Sequence, residues 1–160
     1  VIPATVDDGQ AELLFVFTNG TVASLAKFAM AALTESFPLI SPDGGYVIYV
    51  AELTDENKSL YLMDSSGATR PYGETGESIR ALGWLPDSVR FVYGDLNSQK
   101  AFLGSVGAEP TELSIPLAPV IHWLDEKNYL ALESGELVLG DLNGSSIQID
   151  VNVKDFDFVP

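Results

Sequence analysis

Few residues of this chain can do chemistry, and they lie far apart in sequence. His122 is its one histidine, the side chain whose charge changes near neutral pH. With no second histidine and no cysteine, a histidine-rich or thiolate metal site, a disulfide and a cysteine nucleophile are all excluded. A serine–histidine pair would have only His122 to use. Carboxylates bracket the chain as Asp7 and Asp8 at one end and Asp155 and Asp157 at the other. Brought together, they would offer oxygen ligands to a divalent cation. Dispersed, they are solvated turn carboxylates, which is the expected reading. Gly94-Asp95-Leu96-Asn97 and Gly140-Asp141-Leu142-Asn143 share four letters. Neither continues with the alternate oxygen ligands and closing glutamate of an EF-hand loop, so both read as turns. No nucleotide-binding glycine motif, nucleophile elbow or zinc-helix motif occurs. No metal, cofactor or catalytic residue is therefore expected. The binding candidates are His122, Asp155, Asp157, Asp7 and Asp8.

These residues must be held by strands. Phe37-Pro38-Leu39-Ile40-Ser41-Pro42-Asp43-Gly44 returns as Ala81-Leu82-Gly83-Trp84-Leu85-Pro86-Asp87-Ser88. A weaker return is Val120 to Glu126, an upstream copy is Ile2 to Gly9, and a last one starts at Phe156-Asp157-Phe158. Aligned on Asp8, Asp43, Asp87 and Glu126, the spacings are 35, 44 and 39 residues. A repeat of ~40 residues fits a four-stranded propeller blade. Each anchor precedes a short apolar strand, near 13–17, 46–50, 89–93 and 129–132. Polar turns and further strands follow, as in antiparallel meanders. The predicted fold is all-β, a propeller of about four blades over residues 1–160. Its repeats run 1–36, 37–78, 79–116 and 117–154, with a fifth starting at 155–160.

The anchor has local reasons. Pro42 and Pro86 preset φ for a turn, and Asp43 and Asp87 can accept backbone amides. A bulky residue recurs before the turn, at Ile40, Trp84, Trp123 and Phe158. It is expected to be structural, packed between stacked sheets. Thr21 to Leu33 is alanine-rich and helical by propensity. The repeat places a strand, a turn and another strand there, and strands are the expectation.

Residues 37–78 resemble the WD40-like β-propeller repeat of the TolB family. The resemblance is carried by Ile40-Ser41-Pro42-Asp43-Gly44, then Val47-Ile48-Tyr49, then Leu60-Tyr61-Leu62-Met63-Asp64 and Gly67. The repeat at 79–116 keeps Trp84, Pro86 and Asp87 but has Leu85 and Ser88 for serine and glycine. The one at 117–150 keeps Trp123 and lacks the Pro-Asp-Gly core. Similar repeats occur in periplasmic interaction proteins and in gating domains of serine peptidases. The resemblance thus implies a non-catalytic protein- or peptide-binding scaffold outside the cytoplasm. The alternative is the propeller portion of a larger hydrolase, or an enzyme sited in the channel. No catalytic residue carries over.

Charge limits the partners. With 23 acidic and 8 basic residues the formal net charge is −15, which repels nucleic acid and anionic membranes. The longest apolar runs are six residues, Tyr46–Ala51 and Phe28–Leu33, far short of the ~18 needed to span a bilayer. A protein or peptide partner remains, with basic ones steered in. The chain opens at Val1 and stops at Pro160, where the repeat would continue, so it reads as part of a propeller. Its ends can close a small ring. Otherwise they leave an arc to be completed by a second copy, as a homodimer, or by further blades; the arc is favoured.

Overall fold

The structure, a computed structural model, describes residues 2–6, 10–16, 22–29, 38–54, 57–118 and 120–156. Among them there is no helix, and every strand pairing is antiparallel. The first sheet has the order β1 (Ile2–Val6), β2 (Gln10–Val16), β3 (Val22–Ala29). The second is β4 (Leu39–Ile40), β5 (Tyr46–Thr54), β6 (Asn57–Asp64), β7 (Thr69–Gly76). The third is β8 (Ile79–Trp84), β9 (Arg90–Asp95), β10 (Lys100–Ser105), β11 (Ala108–Leu113). The fourth is β12 (Val120–Trp123), β13 (Asn128–Glu133), β14 (Glu136–Asp141), β15 (Ser146–Val151).

The described part of the alanine-rich stretch, Val22–Ala29, is one unbroken strand, β3, rather than helix, and the turn expected within the stretch does not fall inside it. Residues 21 and 30–33, which complete that stretch, lie outside the described residues, as do Asp7, Asp8, Asp157 and Phe158.

In the second and third sheets the second strands are apolar on both faces, because side chains on each face are buried. In β5, Ile48 and Val50 join Leu60, Leu62 and Tyr72 against Ile79, Trp84, Phe91 and Tyr93 of the third sheet. Val47, Tyr49 and Met63 form a separate buried group. In the third sheet Trp84, Phe91 and Gly104 are paired across the strands and belong to the front face, turned to the second sheet. Val92 and Ala101 lie on the back face and pack with Tyr129 and Ala131 of the fourth. The fourth sheet repeats the front row as Trp123, Tyr129 and Gly140. Outer strands read differently. In β7 only Tyr72 is buried, and β15 is exposed throughout. Pro71 and Pro110 sit in outer strands, where a missing N–H costs no ladder bond.

First strands adjoin one another: β8 packs on β4 and β5, and β12 packs on β8. The second to fourth sheets therefore succeed one another with their first strands innermost. The fourth does not close onto the first among the described residues, so the arrangement is an arc.

Candidate functional site

Turns at the inner end hold the sheets in register. Ser41 donates its hydroxyl to Asp43 Oδ1 at 2.7 Å and accepts the Tyr46 N–H. Asp43 Oδ1 also accepts the Gly45 N–H at 2.9 Å. The Ser41 hydroxyl and then the Gly45 amide hold the Asp43 carboxyl below its ordinary value. In the next sheet Leu85 replaces the serine, is fully buried, and leaves Asp87 to bind the Val89 and Arg90 amides and the Arg90 guanidinium. Burial alone would raise the Asp87 carboxyl, but these donors outweigh it and lower it. In the fourth sheet the turn carboxylate is Asp125, which accepts from Lys127 N and Asn128 N. The turn is one residue shorter than the repeat spacing suggested, so Glu126 is not the equivalent of Asp87. Glu126 instead accepts from Arg90 of the preceding sheet at 3.2 Å.

Beside these turns the inner strands line an open groove of about 500 Å³. Its walls are Gly83 and Trp84 from β8, Ile121, His122 and Trp123 from β12, and Pro42, Pro86 and Leu124 from the turns. Trp84 is buried and donates its indole N–H to the Leu39 carbonyl at 2.9 Å. The indole nitrogen of Trp123 is enclosed without a protein acceptor. Gly83 lies against the Trp123 ring, and a Cβ there would rest in ordinary contact with it at 3.6 Å. His122 is half-buried and stands edge-on to Phe156, with ring centroids 5.1 Å apart. Such a volume, mostly apolar with a few polar groups, suits a side chain or small ligand. A second hollow of about 260 Å³ lies beside Asp64, Thr69 and Arg70. There the Asp64 carboxylate is already occupied by Ser66 and the Ala68 amide.

Of the residues singled out in the sequence, His122 lines the cavity. Asp155 is exposed and accepts the N–H of Phe156 at 2.9 Å. Asp7, Asp8 and Asp157 lie outside the described residues. Trp84 and Trp123 line the cavity as well as packing between sheets. Ile40 differs from them: it is 39% exposed and joins none of the buried groups. Its strand is only two residues long. Asp95 and Asp141 bind amides of their own turns. Among the described residues no group of three His, Asp or Glu side chains could hold a metal. Nor do the described residues include a helix long and apolar enough to cross a membrane. Sequence reasoning gave Pro42 and Pro86 only a turn role and passed over Gly83, Ile121 and Leu124. Their one shared signal was a place within two positions of the recurring bulky residue.

Among solved structures the chain is similar to TolB from Acinetobacter baumannii, with TM-score 0.59 and 18% identity over 91% of this chain and 41% of that one. It is similar to the β-propeller domain of the Trilobed protease from Pyrococcus furiosus, described as having an open velcro topology. There the TM-score is 0.60 and identity 13% over 93% of this chain and 52% of that one. The chain has the fold of a TolB-like partial β-propeller. A third similar structure is the Pyrococcus horikoshii acylaminoacyl peptidase, with TM-score 0.51 and 13% identity over 87% of this chain and 30% of that one. The propeller chain thus spans about half or less of each of these proteins. No family model and no curated protein matches it.

Proposed function

We propose that this propeller, taking residues 1–160 as one unit of successive blades, is a non-catalytic scaffold that binds an extended peptide from a protein partner outside the cytoplasm. The observation that carries the reading is the cavity between the innermost strands. Two indoles, two prolines and His122 converge there on an open volume of about 500 Å³. Aromatic- and proline-lined grooves suit the rigid apolar side chains of extended segments. The net charge of −15 steers basic segments toward the site. The similarity to TolB supports a binding role and the location.

Trp84 and Trp123 are the only tryptophans of the chain, and both line the cavity. Intrinsic fluorescence therefore reports its occupancy. Titration with a synthetic peptide of alternating lysine and proline is expected to give a saturable emission shift that weakens as salt is added. Gly83→Leu fills the cavity and should abolish the shift. An unchanged shift in that variant, or no shift in the wild type, overturns the reading. The similarity to two peptidase chains favours a second reading, the propeller portion of a larger hydrolase. That reading requires a nucleophile-elbow domain in the sequence flanking these residues.

A further inference from the structure

One residue of the inner groove differs from the rest of its wall. Eight residues line the groove, and His122 is the only one with a group that ionises. The indole N–H of Trp84 is given to the Leu39 carbonyl, and that of Trp123 is enclosed. The ring nitrogens of His122 have no hydrogen-bond partner among the described residues, and the ring is half-buried. Phe156, which is not part of the wall, meets that ring edge-on with centroids 5.1 Å apart and holds it in place. The fold does not call for a histidine here. Leu39 and Gly83 hold the same place in the second and third sheets, each paired with its second strand as His122 is paired with Leu130. Neither can change charge.

From these observations we infer that His122 reads the charge of the segment bound in the groove, accepting a basic one while its imidazole is neutral and releasing it once the imidazole takes up a proton. This inference rests on the peptide-binding reading above. Neutral imidazole has one N–H donor and one bare nitrogen, to which an ammonium group or a backbone amide of the segment can donate. Imidazolium has two donors, no acceptor and a positive charge, so a basic segment then meets like charge. Histidine makes that change near neutral pH. The charged groups around the groove do not make it in its place. Asp43, Asp87, Arg90, Asp125 and Glu126 sit on the adjoining turns and Asp155 beside Phe156, and none of them lines the groove. Arg90 and Glu126 are paired with each other, and Asp155 accepts the Phe156 N–H. Ordinary carboxylates and guanidinium groups keep their charge from pH 7.5 to 5.5, and Asp43, Asp87 and Asp125 are held lower still.

One histidine and two tryptophans give separate signals for the charge change and for occupancy. The alternating lysine–proline peptide is titrated by tryptophan fluorescence at pH 7.5 and pH 5.5. Its affinity should fall about fivefold on acidification, the effect of two unit charges about 4 Å apart in water. By reciprocity, saturating peptide should lower the midpoint of the His122 ring-proton titration, followed by proton NMR, by about 0.7 pH unit. His122→Gln keeps a polar side chain without the charge, so its affinities at the two pH values should be equal. Equal affinities in the wild type, or a ring midpoint that bound peptide leaves in place, overturn this inference and leave the peptide-binding reading standing. A loss of affinity that persists in His122→Gln overturns it as well. Absence of any fluorescence shift overturns the peptide-binding reading, and this inference with it.

Discussion

Replacing tyrosine by phenylalanine removes one oxygen and leaves the ring, and two tyrosines here should respond with opposite signs. Tyr72 lies on the outer strand of the second sheet and is 5% exposed. Its hydroxyl donates to the Ala108 carbonyl at 2.7 Å and accepts the Ser105 N–H at 2.8 Å. Both partners belong to the third sheet, so one oxygen ties two sheets together. Each neutral hydrogen bond contributes about 0.5–1.5 kcal/mol, so Tyr72→Phe should cost about 1–3 kcal/mol. At about 2–4 °C per kcal/mol for a chain of this size, melting should fall by about 2–12 °C. Tyr129 is fully buried between the third and fourth sheets, and its hydroxyl has no partner among the described residues. The folded state already bears the desolvation of that oxygen without a bond in return. Tyr129→Phe should therefore leave stability unchanged or raise it by about 1 kcal/mol. Urea and thermal melts followed by far-UV circular dichroism read both variants. Equal losses from the two would refute the reasoning and point to a buried water on Tyr129.

Other substitutions test the packing and the turns. Gly104 faces the Phe91 ring so closely that a Cβ would collide with it; Gly104→Ala should cost about 1–3 kcal/mol by overpacking, read from urea melts. Trp84→Ala empties a buried site and frees the Leu39 carbonyl, with an expected loss of about 3–5 kcal/mol in the same assay. Asp43, Asp64, Asp87 and Asp125 are all held below their ordinary value of 3.8. Their folded pKa values lie below the unfolded one, so their contribution is complete above about pH 4 and is lost as pH falls through the folded values. The melting temperature should stay level from neutral to about pH 5 and drop below about pH 4; a drop already near pH 6 would place the titrating groups elsewhere.

The second strands were legible because a strand covered on both faces must be apolar at every position. Tyr46-Val47-Ile48-Tyr49-Val50 shows this directly, with Val47 and Ile48 buried on opposite sides. The turns were legible as turns, since proline and aspartate act locally. Their variation was harder to read. Ser88 stands where the pattern has Gly44, and both adopt positive φ, 61° and 75°. The serine accepts that strain and receives the Asp43 N–H at 3.0 Å, a bond between sheets that no local rule anticipates. Asp125 was misassigned for a related reason: a one-residue deletion moves the capping carboxylate without changing the look of the repeat. The cavity was least legible. Trp84, Trp123 and the two prolines are 39 or more positions away from at least one other wall residue, and only the stacking of sheets brings them together.

Trp84 and Trp123 occupy the same place in successive sheets, yet one indole N–H is answered and the other is not. The joint at Trp84 also carries the Tyr72 bridge and the Asp43–Ser88 bond. The joint at Trp123 has the exposed Arg90–Glu126 pair and two unanswered polar groups. In a stack whose units touch only their neighbours, stability adds up joint by joint, so unequal joints fix the order in which the stack comes apart. The fourth sheet should let go first. Amides of β13 and β14 should then exchange with solvent ahead of those of β5, β6 and β9, although all five are central strands. The loosest seam would thus lie beside the open groove between Trp84 and Trp123, so that a segment bound there would brace the weaker joint.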